Sequence, residues 1–501
     1  MNIYPDNKQD DLKRMEDNKI ISSLIFGNRF RADQSLFEYL IEFLLVFVSP
    51  KKDDFSSGKF KFHNPELDNY CYYAEPRMGL RRFVFYDKSK KDGTIPADKD
   101  AYLKIRDIIK ENTEGFKESE LDDVVDGIQD LFQGYAVILK KRNWCAQQLL
   151  PICPEFVCCE AMPNEKERRK NVKWSYTNME PNIDTKFEFT QRNFLARGGE
   201  LYYLHILHAL KNNPTKQELL ETLLNDMVVV QCEKISKLAK AIDNNWIKQN
   251  NFEPFERYQK LSLSFIPDNA YVDVEEYSLN ELINYLSCKL HPINRIEILA
   301  KGIMFQVMRM MKSAIYKSLE IESKKIIIDM KGCSTDTIKK MSAMSLKSIE
   351  NDFMTAINKK AKEVSDDEDE VLKLIQDAKK NSYDIFKSKG KEIQCIIPPS
   401  GSFERFTLSE DIIRFLVLSL IRPEEKMTID MFLNELYIHY GIIIGPEQYK
   451  QAYDSDNSLT SSFIENQIAF QNFLKNTGFL RELSDATSIV ENPYYSIEKE
   501  E

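Results

Sequence analysis

Phe194 to Leu210 reads FLARGGELYYLHILHAL, a pair of glycines running into a strongly apolar segment. From Leu201 onward, Leu201, Leu204, His205 and His208 recur at spacings of three and four, and Tyr203, Leu207 and Leu210 continue on an adjacent face. That period predicts a helix, and its scarcity of polar residues predicts a buried one. Gly198 and Gly199 predict an unusual backbone turn at its start, since glycine adopts positive φ without steric cost. His205 and His208 project the same way and read as core or interface histidines. As half a metal site they lack further ligands at a zinc spacing. A helix start behind Gly-Gly also suits an anion, which makes Arg197 an anion-binding candidate. The stretch reads as a buried pivot between an N-terminal domain and a helical middle, and a β-branched residue at Gly198 or Gly199 is expected to destabilise the fold.

Outward from this pivot, 501 residues predict about three domains as a soft prior. Composition divides the chain into an N-terminal α+β domain over 1–190, a central helical domain over 191–330, a long helical hairpin with an acidic hinge over 331–395, and an acidic domain over 402–501. The fold class is therefore mainly α with minor β. A hydrophobic fraction of 43% supplies real cores, and a net charge of −10 argues against a polyanion-binding surface as a whole. Nine cysteines without disulfide-type spacing, behind a polar N-terminus, point to reduced thiols in a cytoplasmic setting.

In the N-terminal region Leu36 to Val48 predicts a buried helix that ends before Pro50, too short for the roughly 20 residues that span a bilayer. Phe60 to Asp87, aromatic and β-branched in short runs, predicts strands. There Arg77, Arg81 and Arg82 stand beside Phe83-Val84-Phe85-Tyr86, a pattern that reads better as charged sheet edges, with a nucleic-acid or anion contact as the alternative. Cys145, Cys153, Cys158 and Cys159 cluster within fifteen residues. Their spacing lacks two short zinc knuckles, so buried thiols are the better reading and metal the alternative. Methionines 304, 308, 310 and 311 read as core or partner-facing packing.

Asp329-Met330-Lys331 follows the β-branched run Ile326-Ile327-Ile328, which resembles the second half of a PD-(D/E)xK nuclease signature. There the acid would hold Mg²⁺ and the lysine would orient water. No first acid stands at a convincing place. The run Ser365 to Glu370 lacks the glycine of a calcium loop and reads as an exposed hinge. Ile393 to Gly401 reads as a linker.

The last hundred residues predict helices followed by a hairpin: Thr407 with Glu410 as a capping box, Thr428 capping a helix that stops before Gly441, a strand at Ile442–Ile444, a helix over about Thr460–Asn476, and strands flanking Ser484-Asp485-Ala486. This is a winged-helix-like order. From Glu404 to Glu501 eight Lys or Arg face seventeen Asp or Glu, so protein contact suits the module better than phosphate binding.

FLARGGELYYLHI, LYIHYGIIIGPEQ (436–448) and FLKNTGFLRELSDATSIVENPY (473–494) resemble segments of large helical accessory subunits in bacterial anti-phage defence operons, methylation-associated ones included. The resemblance covers about a tenth of the chain and transfers no catalytic residue. It implies a non-catalytic adaptor or scaffold subunit, without a cofactor of its own, beside an ATPase, methylase or nuclease partner. The chain carries no phosphate-loop, nucleophile-elbow, HExxH or GxGxxG motif. Two alternatives remain: a divergent metal-dependent nuclease using Asp329 and Lys331, and a nucleic-acid sensor using Arg77, Arg81 and Arg82.

Overall fold

A computed structural model describes residues 1–27, 30, 34–51, 59–64, 69–88, 96–137, 147–159, 162–163, 187–188, 197–249, 258–330, 336–453, 459–483 and 488–497. The protein is mainly helical, with short strands in pairs and one three-stranded sheet. Among the described residues no helix is long and apolar enough to cross a membrane. The chain forms two compact units, one of residues 1–39, 197–223 and 264–501, the other of residues 40–196 and 224–263.

The larger unit is built on the Pro292–Leu319 helix. Proline opens it at a position where its missing N–H costs nothing, and Glu320 in the left-handed region closes it. Ile296, Leu299, Met304, Val307, Met311 and Ile315 are all buried, and from Gly302 to Tyr316 nearly every residue of the helix is. Met308 and Met310 join them as core. Gly302 permits the close approach of Phe415 from the Glu410–Leu420 helix: a Cβ there would lie 2.3 Å from the Phe415 ring.

Gly198 and Gly199 lie inside the Arg197–Asn212 helix, and neither has positive φ. The expectation of an unusual turn is corrected: the requirement at Gly198 is for room. A Cβ on it would stand 2.1 Å from Tyr39 Cε1 and 3.0 Å from Phe30 Cε1. Gly198→Val should therefore destabilise this unit by about 1–3 kcal/mol through overpacking, with a lowered denaturant midpoint as the check. An unchanged midpoint would refute the packing role.

The Asp336–Val364 and Glu368–Lys380 helices pair across the acidic run, where Asp367 caps the second helix by accepting from Glu370 N at 2.8 Å. A second break at Asn381 and Ser382 separates the Tyr383–Glu392 helix. Ile396–Ile397 pairs antiparallel with Arg405–Phe406, so the Pro-Ser-Gly stretch read as a linker is the turn of a hairpin. The predicted capping box does not form. Thr407 N donates to Cys395 O and extends the hairpin, while Ser409 Oγ donates to Ile393 O, and the helix starts at Glu410.

Ile326–Ile327 pairs in parallel with Ile442–Ile443. Beyond that pair Asn466, fully buried, replaces the missing ladder. Its Nδ2 donates to Ile328 O and Ile444 O at 2.9 and 3.0 Å, and its Oδ1 accepts from Met330 N at 3.0 Å. Asn466 belongs to the Thr460–Asn476 helix, which also buries Phe463, Phe470 and Leu474 along one stripe. Lys426–Thr428, Ser488–Glu491 and Leu480–Glu482 form an antiparallel sheet with Ser488–Glu491 in the middle.

In the smaller unit Cys71–Ala74 pairs antiparallel with Gln259–Ser262. Among the described residues the strand expectation for 60–87 holds at Cys71–Ala74, whereas Met78–Val84 is a helix. Leu80, Phe83 and Val84, at helical spacing, fill its buried face.

Candidate functional site

The helix at the centre of the larger unit carries two neighbouring buried cations, Arg309 and Lys312, among apolar residues. Their surroundings differ. Arg309 meets Glu281 of the Val272–Leu286 helix through two bonds, Nη1 to Oε1 at 2.9 Å and Nη2 to Oε2 at 2.8 Å. Glu281, fully buried, also accepts from Gln306 Nε2 at 2.6 Å and contacts His439 Nδ1 at 2.7 Å. Arg309 donates further to Ser278 Oγ at 2.8 Å and His439 O at 3.1 Å, with its guanidinium 4.4 Å from the Tyr440 ring centre. One carboxylate thus joins three helices, the third being Ile429–Tyr440. Burial pushes the Glu281 carboxyl up, but Arg309 and His439 outweigh it and hold it below the usual carboxylate range.

Lys312 faces a cavity of about 440 Å³ that opens beside this network. Its side chain is 6% exposed, and among the described residues no acceptor lies within bonding distance of its Nζ. Burial, aided by the neighbouring Lys325, pulls the Lys312 ammonium down to about 7. Gly441, at φ +68°, ends the Ile429–Tyr440 helix between the two lysines; a Cβ there would lie 3.4 Å from Lys312 Nζ and 3.4 Å from Lys325 Cδ.

The residues singled out in the sequence stand elsewhere. His205 Nε2 bonds Ser278 Oγ at 2.8 Å, and burial lowers its pKa well below the usual value. His208 Nδ1 bonds Glu275 Oε2 at 2.6 Å. The two histidines serve separate partners, and among the described residues no group of three or more metal-ligating side chains converges. Asp329 is buried and receives Arg405 Nε at 2.6 Å, an ion pair within the hairpin packing; Lys331 lies outside the described residues. Cys153, Cys158 and Cys159 are buried free thiols, with Cys153 pushed well above its ordinary pKa by burial; Cys145 lies outside the described residues.

Arg81 and Arg82 are 2% and 1% exposed in the Met78–Val84 helix, where Arg81 donates to Cys158 O. Arg77 pairs with Glu75 at 3.1 Å and Asp243 at 3.2 Å, and it adopts left-handed backbone as the helix N-cap. It also lines a cavity of about 290 Å³ with Lys51, Lys59, Lys61 and Lys240. Arg197 is the first residue of its helix; its side chain lies outside the described residues.

Sequence reading missed Glu281, Lys312, Lys325 and His439. The available signal was Arg309 and Lys312, two cations three residues apart in the run MFQVMRMMKSAIY, where a buried helix demands a partner for each. Comparison with protein-family models, curated proteins and solved structures finds no match for this chain.

Proposed function

We propose that this chain is a non-catalytic adaptor or scaffold subunit of a cytosolic bacterial complex that acts against foreign DNA, beside an ATPase, methylase or nuclease subunit. Residues 402–501 are its winged-helix-like docking module. The strand order supports that reading: the first strand follows one helix, the last two form a hairpin after the Thr460–Asn476 helix, and the last strand lies in the middle. The setting rests only on the resemblance of the three segments, read from the sequence, to accessory subunits of defence operons.

The observation that carries the mode of action is the outer face of the Thr460–Asn476 helix. In a DNA-binding module of this kind that face enters a groove and needs cations. Here it presents Ile464 and Ile468, 45% and 48% exposed, with Glu465 beside them. Lys475 is paired to Glu482 at 2.7 Å, and Arg481 to Glu491 at 2.9 Å. Apolar side chains in an acidic surrounding suit a protein partner better than phosphates. Native pull-down from the source cell, with identification of what remains bound, tests the reading. A defined subunit at fixed stoichiometry is expected, and a lone monomer would count against it.

A further inference from the structure

Arg295, Arg309 and Lys389 are buried cations of the larger unit, and each is answered: Arg295 by Leu286 O, Arg309 by Glu281, Lys389 by Gln34 O and Glu392. Lys312 is 6% exposed, and among the described residues its Nζ has no hydrogen-bond or ion-pair partner; it meets the Tyr316 ring and the cavity. Its Nζ lies over the Tyr316 ring, 5.9 Å from the ring centre, and beside Gly441. The second amine on the cavity, Lys325, has its Nζ 4.9 Å from the Tyr437 ring centre. The nearest carboxylate to it, Glu322, is 4.0 Å away and 90% exposed, where solvent screens the attraction. Of the other charges around the cavity, Asp273 is taken by Lys317 at 2.8 Å, Glu281 is spent on Arg309 and His439, and Glu320 points to solvent at 85% exposure. Two amines therefore line one cavity, and among the described residues neither has a buried carboxylate as counter-charge.

A buried ammonium without a partner is costly, and this one is kept at the wall of a space large enough for a small molecule. We propose that the cavity binds a small molecule bearing an oxyanion, a phosphoryl or carboxylate group, seated between Lys312 Nζ and Lys325 Nζ. The oxyanion supplies the missing counter-charge through two charge-assisted hydrogen bonds. A neighbouring groove of about 650 Å³, lined by Met341, Met344, Tyr437 and Tyr449, shares the 322–325 segment and receives the apolar or aromatic remainder of the ligand. Because the cavity wall includes Ile438–Gly441, the end of the Ile429–Tyr440 helix, occupancy braces a helix of the acidic module itself. The inference does not rest on the adaptor reading.

The test is isothermal titration of the full chain with two probes. Sulfate stands in for a phosphoryl group and keeps its charge across the range used, and acetate stands in for a carboxylate. Saturable binding of at least one probe is expected at about pH 6, weakening at least about tenfold by about pH 9 as Lys312 gives up its proton. Lys312→Met should weaken it by about tenfold or more, and Lys325→Met, at a partly exposed position that leaves the fold intact, by a similar factor. If neither probe binds the wild-type protein, or if either variant binds as tightly as wild type, the site is refuted.

Discussion

Glu281→Ala is expected to destabilise the larger unit by about 3–5 kcal/mol, because it leaves Arg309 buried and without a carboxylate. Arg309 keeps only Ser278 Oγ and His439 O, while Gln306 and His439 lose an acceptor in the same step. Three helices are affected together, since Glu281, Arg309 and His439 come one from each. Glu281→Gln should cost less, as its amide oxygen still accepts while the charge is gone. Replacing both Glu281 and Arg309 by leucine should recover much of the loss, because neither desolvated charge then remains. Denaturant midpoints for the single and double variants measure the coupling directly. A single Glu281→Ala loss below about 1 kcal/mol would remove the network from the account.

Lys312→Met carries an effect of opposite sign. In the folded protein the Lys312 ammonium is pulled to about 7, whereas the unfolded chain returns it to about 10.5. Between those values the unfolded state holds a proton that the native state has released. Stability of the wild-type chain therefore rises with pH across that window, and the penalty of the buried charge is complete below about pH 7. The methionine variant has no such penalty. Its advantage over wild type should be on the order of 3–5 kcal/mol below about pH 7 and should shrink towards nothing by about pH 10. Unfolding of both proteins at several pH values reads this difference with the other titrating groups held in common. A pH-independent difference would mean that Lys312 finds a counter-charge in the empty protein.

The two lysine tests answer different questions. Stability against pH reports what the cavity costs when empty, and titration with oxyanions reports what fills it. Together they predict that a bound oxyanion stabilises the wild-type chain at neutral pH and leaves Lys312→Met unchanged.

The helical elements were legible where local signals and tertiary needs agreed. Leu36–Val48 matches its expected bounds, because an unbroken apolar run is stopped by proline. The Ile429–Tyr440 helix starts with Thr428 accepting from Met431 N at 3.3 Å and ends at Gly441, as its capping residues indicate. The reading failed where a tertiary bond took a local donor: Ser409 and Thr407 are drawn into the Ile396–Phe406 hairpin, and the capping box is lost. It also failed at Met78–Val84, where aromatic and β-branched content suggested strand while the spacing of Leu80, Phe83 and Val84 was helical. At Gly198 the local pattern suggests a turn, whereas the requirement is room for Tyr39, a ring far away in sequence. The Glu281 network could not be read at all: its members are separated by whole helices, and only Arg309 and Lys312 announced that something polar had to meet them.

The central claim is that this chain works by holding a partner protein through its acidic C-terminal module. The most direct measurement compares wild type with an Ile464→Asp, Ile468→Asp double variant in native pull-down, with unfolding curves recorded in parallel. Both positions are exposed, so the fold should change by no more than about 0.5 kcal/mol per site. The account predicts that wild type retains a defined partner and that the double variant, equally stable, loses it by at least about tenfold in affinity. Undiminished capture by the double variant, or capture of nothing by wild type, would contradict it.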